Sequence, residues 1–226
     1  MSKKLTKNRL QLERRVLPQS LLNRLYDIVK NPKSDKQSAK TYGGHTKKDV
    51  RDTTVYRFDN ESHPKELERV RKAFESYFEN EKLNQCDLLY YGKEQHFGLH
   101  RDNDSKDGVS LGGIGRNWSC STLIYQSEDL QGGDLVVYGP FSPIVRQTRP
   151  RIIKLKVGQS VFFPSHWWHE VTPVTKGERI ALVSWLGDDS NKIPELEHKE
   201  HMNCLLYTSD AADEGLGVDL GGRRII

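Results

Sequence analysis

The strongest constraint on this chain is a change of apolar periodicity at Asp87. Before it, apolar residues recur at helical spacing in two stretches. After it, they fall into short runs separated by glycine-containing turns. In VLPQSLLNRLYDIVKN, Leu21, Leu22, Leu25, Ile28 and Val29 share a helical face, and Asn31-Pro32 supplies the stop. In HPKELERVRKAFESYFENEKLNQ, Pro64 suits the first helical position, with Glu66 and Glu68 in the first turn. Its stripe of Leu67, Val70, Phe74, Tyr77 and Phe78 can pack on a sheet. TTVYRFD reads as a short strand. From Asp87 come DLLYYG, the segment leading to His100, SCSTLIYQ, DLVVYG, RIIKLKVGQ, SVFFP, HEVTPV and ERIALVSWLG. RIIKLKVGQ alternates Ile153, Leu155 and Val157 against Lys154 and Lys156, as a half-buried strand closed by a Gly turn does. Two helices followed by about eight strands predict an α+β fold, with helices packed on one sheet of an antiparallel sandwich or jelly roll.

Composition narrows the function classes. A chain of 226 residues suits one domain or a domain with a helical extension. Charged residues make up 29% and the net charge is +4, short of the clustered basic character of a nucleic-acid binder, so no nucleic-acid partner is expected. No apolar run approaches the roughly 20 residues that span a bilayer. The start, MSKKLTKNRLQLERR, lacks the apolar core of a secretory signal. Cys86, Cys120 and Cys204 lack CxxC spacing and read as reduced thiols, which points to the cytoplasm. Residues 204–226, CLLYTSDAADEGLGVDLGGRRII, lose all periodicity and resemble a translated sequencing adaptor, so they are expected to be non-native.

YYGKEQHFGLHRDND carries the chemistry. His100 and Asp102 are two apart, which on a strand aims both at one point, whether as ligands of one metal or as a solvated polar face. His-x-Asp alone is weak, since the chain has 8 His. A third ligand decides. FFPSHWWHEVTPVTKGERIALVSWLGD offers His166 and His169, which on an extended segment face opposite sides, so only one can serve the site. His166, beside Pro164 and two Trp, reads as a rim residue. A jelly roll can bring His169 beside His100 and Asp102, with Arg179 deeper in the barrel. Two imidazoles and a carboxylate form the facial arrangement of non-haem Fe(II) oxygenases, leaving three positions open, and a buried Arg grips a carboxylate bidentately. Trp167 and Trp168 alternate faces, so one packs in the core and the other borders the site; Cys120 reads as a small buried hydrophobe.

These residues carry a family resemblance. From Tyr90 to Asp188, about half the chain, YYG…HFGLHRD, STLIYQSEDLQGGDLVVY and KVGQSVFFPSHWWHEVTPVTKGERIALVSW resemble the Fe(II)/2-oxoglutarate-dependent dioxygenases, in their prolyl 4-hydroxylase-like branch. The resemblance implies a double-stranded β-helix (jelly roll). It implies His100, Asp102 and His169 as iron ligands and Arg179 as the grip on the distal carboxylate of 2-oxoglutarate. Tyr90 and Tyr125 match cosubstrate-contacting tyrosines. Trp185, six after Arg179, matches a Trp of some prolyl hydroxylases, where the nucleic-acid demethylase branch has an Arg. Implied cofactors are Fe(II), 2-oxoglutarate and O2, with ascorbate by analogy to prolyl hydroxylases. The implied activity is hydroxylation of an unactivated C–H bond. Its target is a prolyl residue of a peptide or protein, or else a free amino acid or small metabolite. A non-catalytic jelly-roll metal-binding module is the alternative from another class.

The expected organisation is a helical support region (1–85), the dioxygenase core (86–190), a C-terminal segment (191–203) and the tail (204–226). The glycine-rich stretch 103–117 follows the two ligands and reads as a substrate lid. GPFSPIVRQTRPR (139–151) reads as a second border of the same mouth.

Overall fold

Both expected helices form; the first buries the whole stripe that the spacing marks, the second its Leu67, Val70 and Phe74. The structure, a computed structural model, describes residues 10–13, 15–31, 36–38, 50–56, 58–78, 80–103, 115–141, 143 and 149–187. In chain order the elements are β1 (Gln11–Glu13), α1 (Gln19–Lys30), β2 (Lys36–Ser38), β3 (Arg51–Asp52), β4 (Thr54–Tyr56), α2 (Pro64–Glu75), β5 (Lys82–Tyr91), β6 (His96–His100), β7 (Arg116–Gln126), β8 (Gln131–Gly132), β9 (Leu135–Gly139), β10 (Arg151–Ile153), β11 (Ser160–Pro164), β12 (Trp168–Val171), β13 (Val174–Lys176) and β14 (Arg179–Gly187). They belong to a compact unit spanning residues 1–191. The predicted segment 191–203, the tail 204–226 and most of the predicted lid (104–114) lie outside the described residues, as do 142 and 144–148 of the second border. No helix among the described residues is long and apolar enough to cross a membrane.

Helix α1 buries Leu21, Leu22, Leu25, Ile28 and Val29, and ends at Asn31, whose extended backbone suits a residue preceding proline. Helix α2 buries Leu67, Val70 and Phe74 but stops at Glu75, earlier than its sequence predicts. Lys82 onward is strand. Leu83 and Lys82 pair with Leu186 and Gly187 of β14, and the Glu75 carboxylate accepts the Leu83 N–H at 3.0 Å. That ladder satisfies more backbone groups than a longer exposed helix would. Phe78, now beyond the helix, still packs against Trp118 and Phe162.

Strands dominate the described residues. One sheet has seven strands in the order β1-β11-β7-β14-β5-β4-β2, and another has five in the order β10-β9-β12-β6-β3. A two-stranded ribbon joins β13 and β8. The N-terminal region therefore supplies strands as well as helices: β1, β2 and β4 join the larger sheet and β3 the smaller. One face of the larger sheet packs under the helices, with Leu88, Cys120, Phe162 and Leu182 against Leu21, Leu25 and Phe74. Its other face, including Leu89, Tyr91, Val161 and Phe163, packs on Leu135, Val137 and Val171 of the smaller sheet. Successive β5 residues thus enter different cores. RIIKLKVGQ is strand only through Ile153; Val157 is 45% exposed and Gln159 N–H turns back onto Lys156 O. β10 pairs with β9 alone, so nothing holds the chain extended beyond that edge.

Phe162, fully buried, meets Phe74 edge-on and Phe78 beside it. Phe162→Ala should therefore cost about 3–5 kcal/mol, read as a lowered denaturant midpoint; an unchanged midpoint would contradict this packing.

Candidate metal centre

Strands β6 and β12 lie side by side, and His100 and His169 are direct cross-strand partners. Such neighbours share a face, and their rings lie 4.2 Å apart. The pairing slips between His169 and Val171, a local irregularity beside the ligand. Each imidazole is fixed from behind. His100 Nδ1 lies 2.8 Å from Gly98 O, and His169 Nδ1 lies 2.8 Å from Trp167 O. Because a carbonyl can only accept, both Nδ1 atoms carry the proton and both Nε2 atoms face the site. Phe97 stacks on His100 at 3.5 Å and Phe163 meets His169 edge-on at 4.8 Å, so neither ring can swing freely.

Asp102 sits past the end of β6, so strand alternation is not what aims it. Its N–H and that of Asn103 both donate to Ser165 O, at 3.0 and 3.1 Å, tying this bend to the turn that leads into β12. Oδ1 then lies 3.5 Å from His100 Nε2 and Oδ2 3.4 Å from His169 Nε2. The donor atoms of the three residues all lie within 4.8 Å of one another. His166 stands in the turn before β12, not on a strand, and is outside this cluster.

Burial pushes the Asp102 carboxyl up, but the charge and hydrogen bonds of the two imidazoles outweigh it and hold it well below the usual carboxylate range. The imidazoles part company. Burial, then the neighbouring His169, pushes His100 down. His169 is also pushed down by burial, but attraction to Asp102 prevails and raises it. Without metal, protonation therefore favours His169 over His100.

Arg179 opens β14 opposite Tyr91 of β5 and is buried, its guanidinium 5.5 Å from the Tyr91 ring. It donates to Gly133 O, while its Nε is buried with no hydrogen-bond partner among the described residues. Gly133 has φ +64, and a Cβ there would come within 2.9 Å of Val174 Cγ2 and 3.1 Å of Arg179 Cδ, so glycine leaves the stem of Arg179 its room. Tyr91 is buried, which pushes its phenol up, while Arg179 and Arg51 pull it down and Asp102 raises it again. The phenol thus lies within electrostatic reach of both the buried guanidinium and the carboxylate ligand. Tyr91 lines one cavity with the three metal-ligand candidates, Arg51 and Trp185.

Tyr90 and Tyr125, the expected cosubstrate tyrosines, are elsewhere. Both belong to the core beneath the helices. Tyr90 OH donates to Glu178 at 2.7 Å, and the Lys30 ammonium sits 5.5 Å from each of the two rings. Burial and Glu178 push the Tyr90 phenol up to about 12. The reason is parity: with Arg179 and Tyr91 paired on the inner face, Tyr90 must point outward. Tyr91, which the sequence does not single out, is the tyrosine that lines the cavity; only its place opposite Arg179 in the β5–β14 register discloses it. Trp185 does line the cavity, and its indole N–H is buried with no partner among the described residues. Of the tryptophan pair, Trp167 packs in the inter-sheet core and Trp168 lies half-buried under Arg101, 4.7 Å from its ring.

Comparison with known proteins agrees with this geometry. The sequence model of the 2OG-Fe(II) oxygenase superfamily matches residues 86–187. A PKHD-type hydroxylase of Phenylobacterium zucineum is 32% identical over 134 residues, 58% of this chain and 52% of its own length. One of Nitrosomonas europaea is 34% identical over 126 residues, 54% and 48% of the two chains. The chain spans about half the length of the curated relatives it matches. Among solved structures, a Pseudomonas putida prolyl-4-hydroxylase superposes with TM-score 0.61 at 16% identity, covering 82% of this chain and 95% of the other. A Trichoplax adhaerens prolyl hydroxylase, solved with a hypoxia inducible factor oxygen degradation domain peptide fragment, gives 0.63 at 16%, covering 81% and 86%. At that identity these structures speak for the fold.

The proton on His169 gives a pH test. A metal must displace it, so Co(II) affinity should climb as pH rises through the raised His169 value and then level off. Without metal the signs differ. The His169 contribution to stability is full below its unfolded pKa of about 6.5 and is lost as pH rises through the folded value. The Asp102 contribution is present above about 3.9 and lost only as pH falls through its depressed value. Affinity and metal-free stability should therefore move in opposite directions between about pH 6.5 and the levelling point; an affinity independent of pH there would contradict the protonation assigned to His169.

Proposed function

Residues 86–187 belong to the 2OG-Fe(II) oxygenase superfamily, prolyl hydroxylase-like branch, and on that premise we propose that the chain is an Fe(II)- and 2-oxoglutarate-dependent dioxygenase. Its reaction is hydroxylation of an unactivated C–H bond, and its substrate class is a prolyl residue of a peptide or protein. The convergence of His100, Asp102 and His169 within 4.8 Å, from segments far apart in the chain, carries this reading. The donor set fits ferrous iron: two neutral imidazole nitrogens and one carboxylate leave three positions for cosubstrate and oxygen. The unpaired Nε of buried Arg179 fits a carboxylate that is not part of the protein.

Iron bound here with 2-oxoglutarate and O2 supplies an oxidant that converts C–H to C–OH, the cosubstrate leaving as succinate and carbon dioxide. The chain's own work is positioning. His100 and His169 present Nε2, and Asp102 supplies one oxygen. Arg179 grips the distal carboxylate of 2-oxoglutarate, and Tyr91, its cross-strand neighbour, donates its phenol alongside. Trp185 borders the substrate. The inter-sheet core around the site keeps water out, which strengthens each charge interaction.

In this reading the two facing sheets are a double-stranded β-helix, residues 86–190 carry the site and residues 1–85 brace it. The curated relatives are PKHD-type hydroxylases and one structural neighbour was solved with a peptide, which supports a peptide or protein target. Ascorbate as a reductant belongs to the same analogy.

Purified protein given Fe(II), 2-oxoglutarate and O2 should release succinate, and a prolyl-peptide panel should gain 16 Da per oxygen atom inserted. Asp102→Ala, Asp102→Glu and His169→Ala should all abolish turnover; wild-type succinate release from any of them would contradict the ligand set. Product from metabolite extracts alone would reject the peptide target. Arg179→Ala should raise the 2-oxoglutarate requirement roughly 10–100-fold, the worth of a charge-assisted hydrogen-bond pair, with metal affinity unchanged. Tyr91→Phe should shift the same parameter in the same direction, and Tyr90→Phe should leave it alone; the reverse order would restore Tyr90 as the cosubstrate contact.

A further inference from the structure

We propose that Ser119 is a positioning residue that locks the Asp102 carboxylate so that it offers the metal only one oxygen. The inference rests on the metal centre described above and concerns a residue outside the ligand set. Ser119, on β7, is 1% exposed, and its hydroxyl lies 2.5 Å from Asp102 Oδ2. Its Oγ is also 3.0 Å from the hydroxyl of fully buried Ser165. A hydroxyl has one proton to give. The carboxylate, as the stronger acceptor, takes that of Ser119, and Ser165 donates its own to Ser119 Oγ. Ser165 is held in turn: its N–H donates to Asn117 O, and its carbonyl receives the N–H groups of Asp102 and Asn103. The carboxylate, its hydroxyl partner and the turn into His169 are thus one hydrogen-bonded unit.

The consequence for the metal follows from the two oxygens. Each oxygen faces one imidazole, Oδ1 lying 3.5 Å from His100 Nε2 and Oδ2 3.4 Å from His169 Nε2; what distinguishes them among the described residues is the Ser119 hydroxyl, which engages Oδ2 alone. A carboxylate oxygen already accepting a short hydrogen bond is the poorer metal ligand, so a metal held here would be offered Oδ1. Chelation by both oxygens would occupy one of the three positions that the proposed reaction needs open. Ser119 prevents it by holding Oδ2 back, and it fixes the rotamer that makes Oδ1 available.

Co(II) titration of the whole protein, followed by its visible absorption, tests this without turnover. Ser119→Ala and the near-isosteric Ser119→Cys, a weak donor, should each lower Co(II) affinity about 10-fold or more and change the absorption envelope. Ser119→Thr, which keeps the hydroxyl, should restore both. Should the alanine variant fail to fold, the cysteine variant decides. Wild-type affinity and spectrum in a folded Ala or Cys variant would overturn the role of Ser119 alone. Equal Co(II) binding by wild type and His169→Ala would overturn the metal centre, and this inference with it.

Discussion

The structure turns on a buried carboxylate held between two imidazoles. Asp102 and His169 are each less than a tenth exposed, and an isolated charge at that depth would cost several kcal/mol. What offsets the cost is the pairing of β6 with β12, which sets His100 opposite His169, together with the Ser165 carbonyl that bends the chain so Asp102 falls between them. Each imidazole is oriented by a backbone carbonyl, so the geometry exists before any ion arrives. The Asp102 carboxylate and the inward-facing Nε2 atoms favour a dication in the gap, against the cost of displacing the proton that His169 favours and of desolvating the ion.

The two cores give that centre its surroundings. The larger sheet is covered by helices on one face and by the smaller sheet on the other, so its central strand β14 is buried almost throughout. Arg179 stands at the start of that strand, where its buried guanidinium donates to Gly133 O and lies against the Tyr91 ring. Its Nε is buried without a hydrogen-bond partner among the described residues, a cost that a bound anion would relieve. On the helix side, Lys30, Glu178 and the tyrosine rings tie α1 to the residue preceding Arg179. The helices therefore brace the strand that begins at Arg179.

Much of this was legible in the sequence because its signals are strong and local. The two helical stripes, the turn-punctuated strands, the His100–Asp102 pair and the His169–Arg179 spacing each depend on residue types at short range. What was not legible depended on register. Tyr90 and Tyr91 are adjacent and chemically identical, and only the pairing of β5 with β14 says which faces the site. β1 to β4 are two or three residues each, too short to show a period. Ser119 sits in a strand buried on both faces, where no alternation singles it out. Strand alternation predicts Asp102 beside His100, and it does lie there, but a turn anchored on Ser165 places it, beyond the end of the strand.

The most direct measurement is a crystal structure of the protein grown with Mn(II) and 2-oxoglutarate under anaerobic conditions, with anomalous data at the manganese edge. A single strong peak bounded by His100 Nε2, Asp102 and His169 Nε2, with the cosubstrate reaching Arg179, is the predicted result. A peak elsewhere, or a manganese ion in place with the cosubstrate turned away from Arg179, would contradict the account.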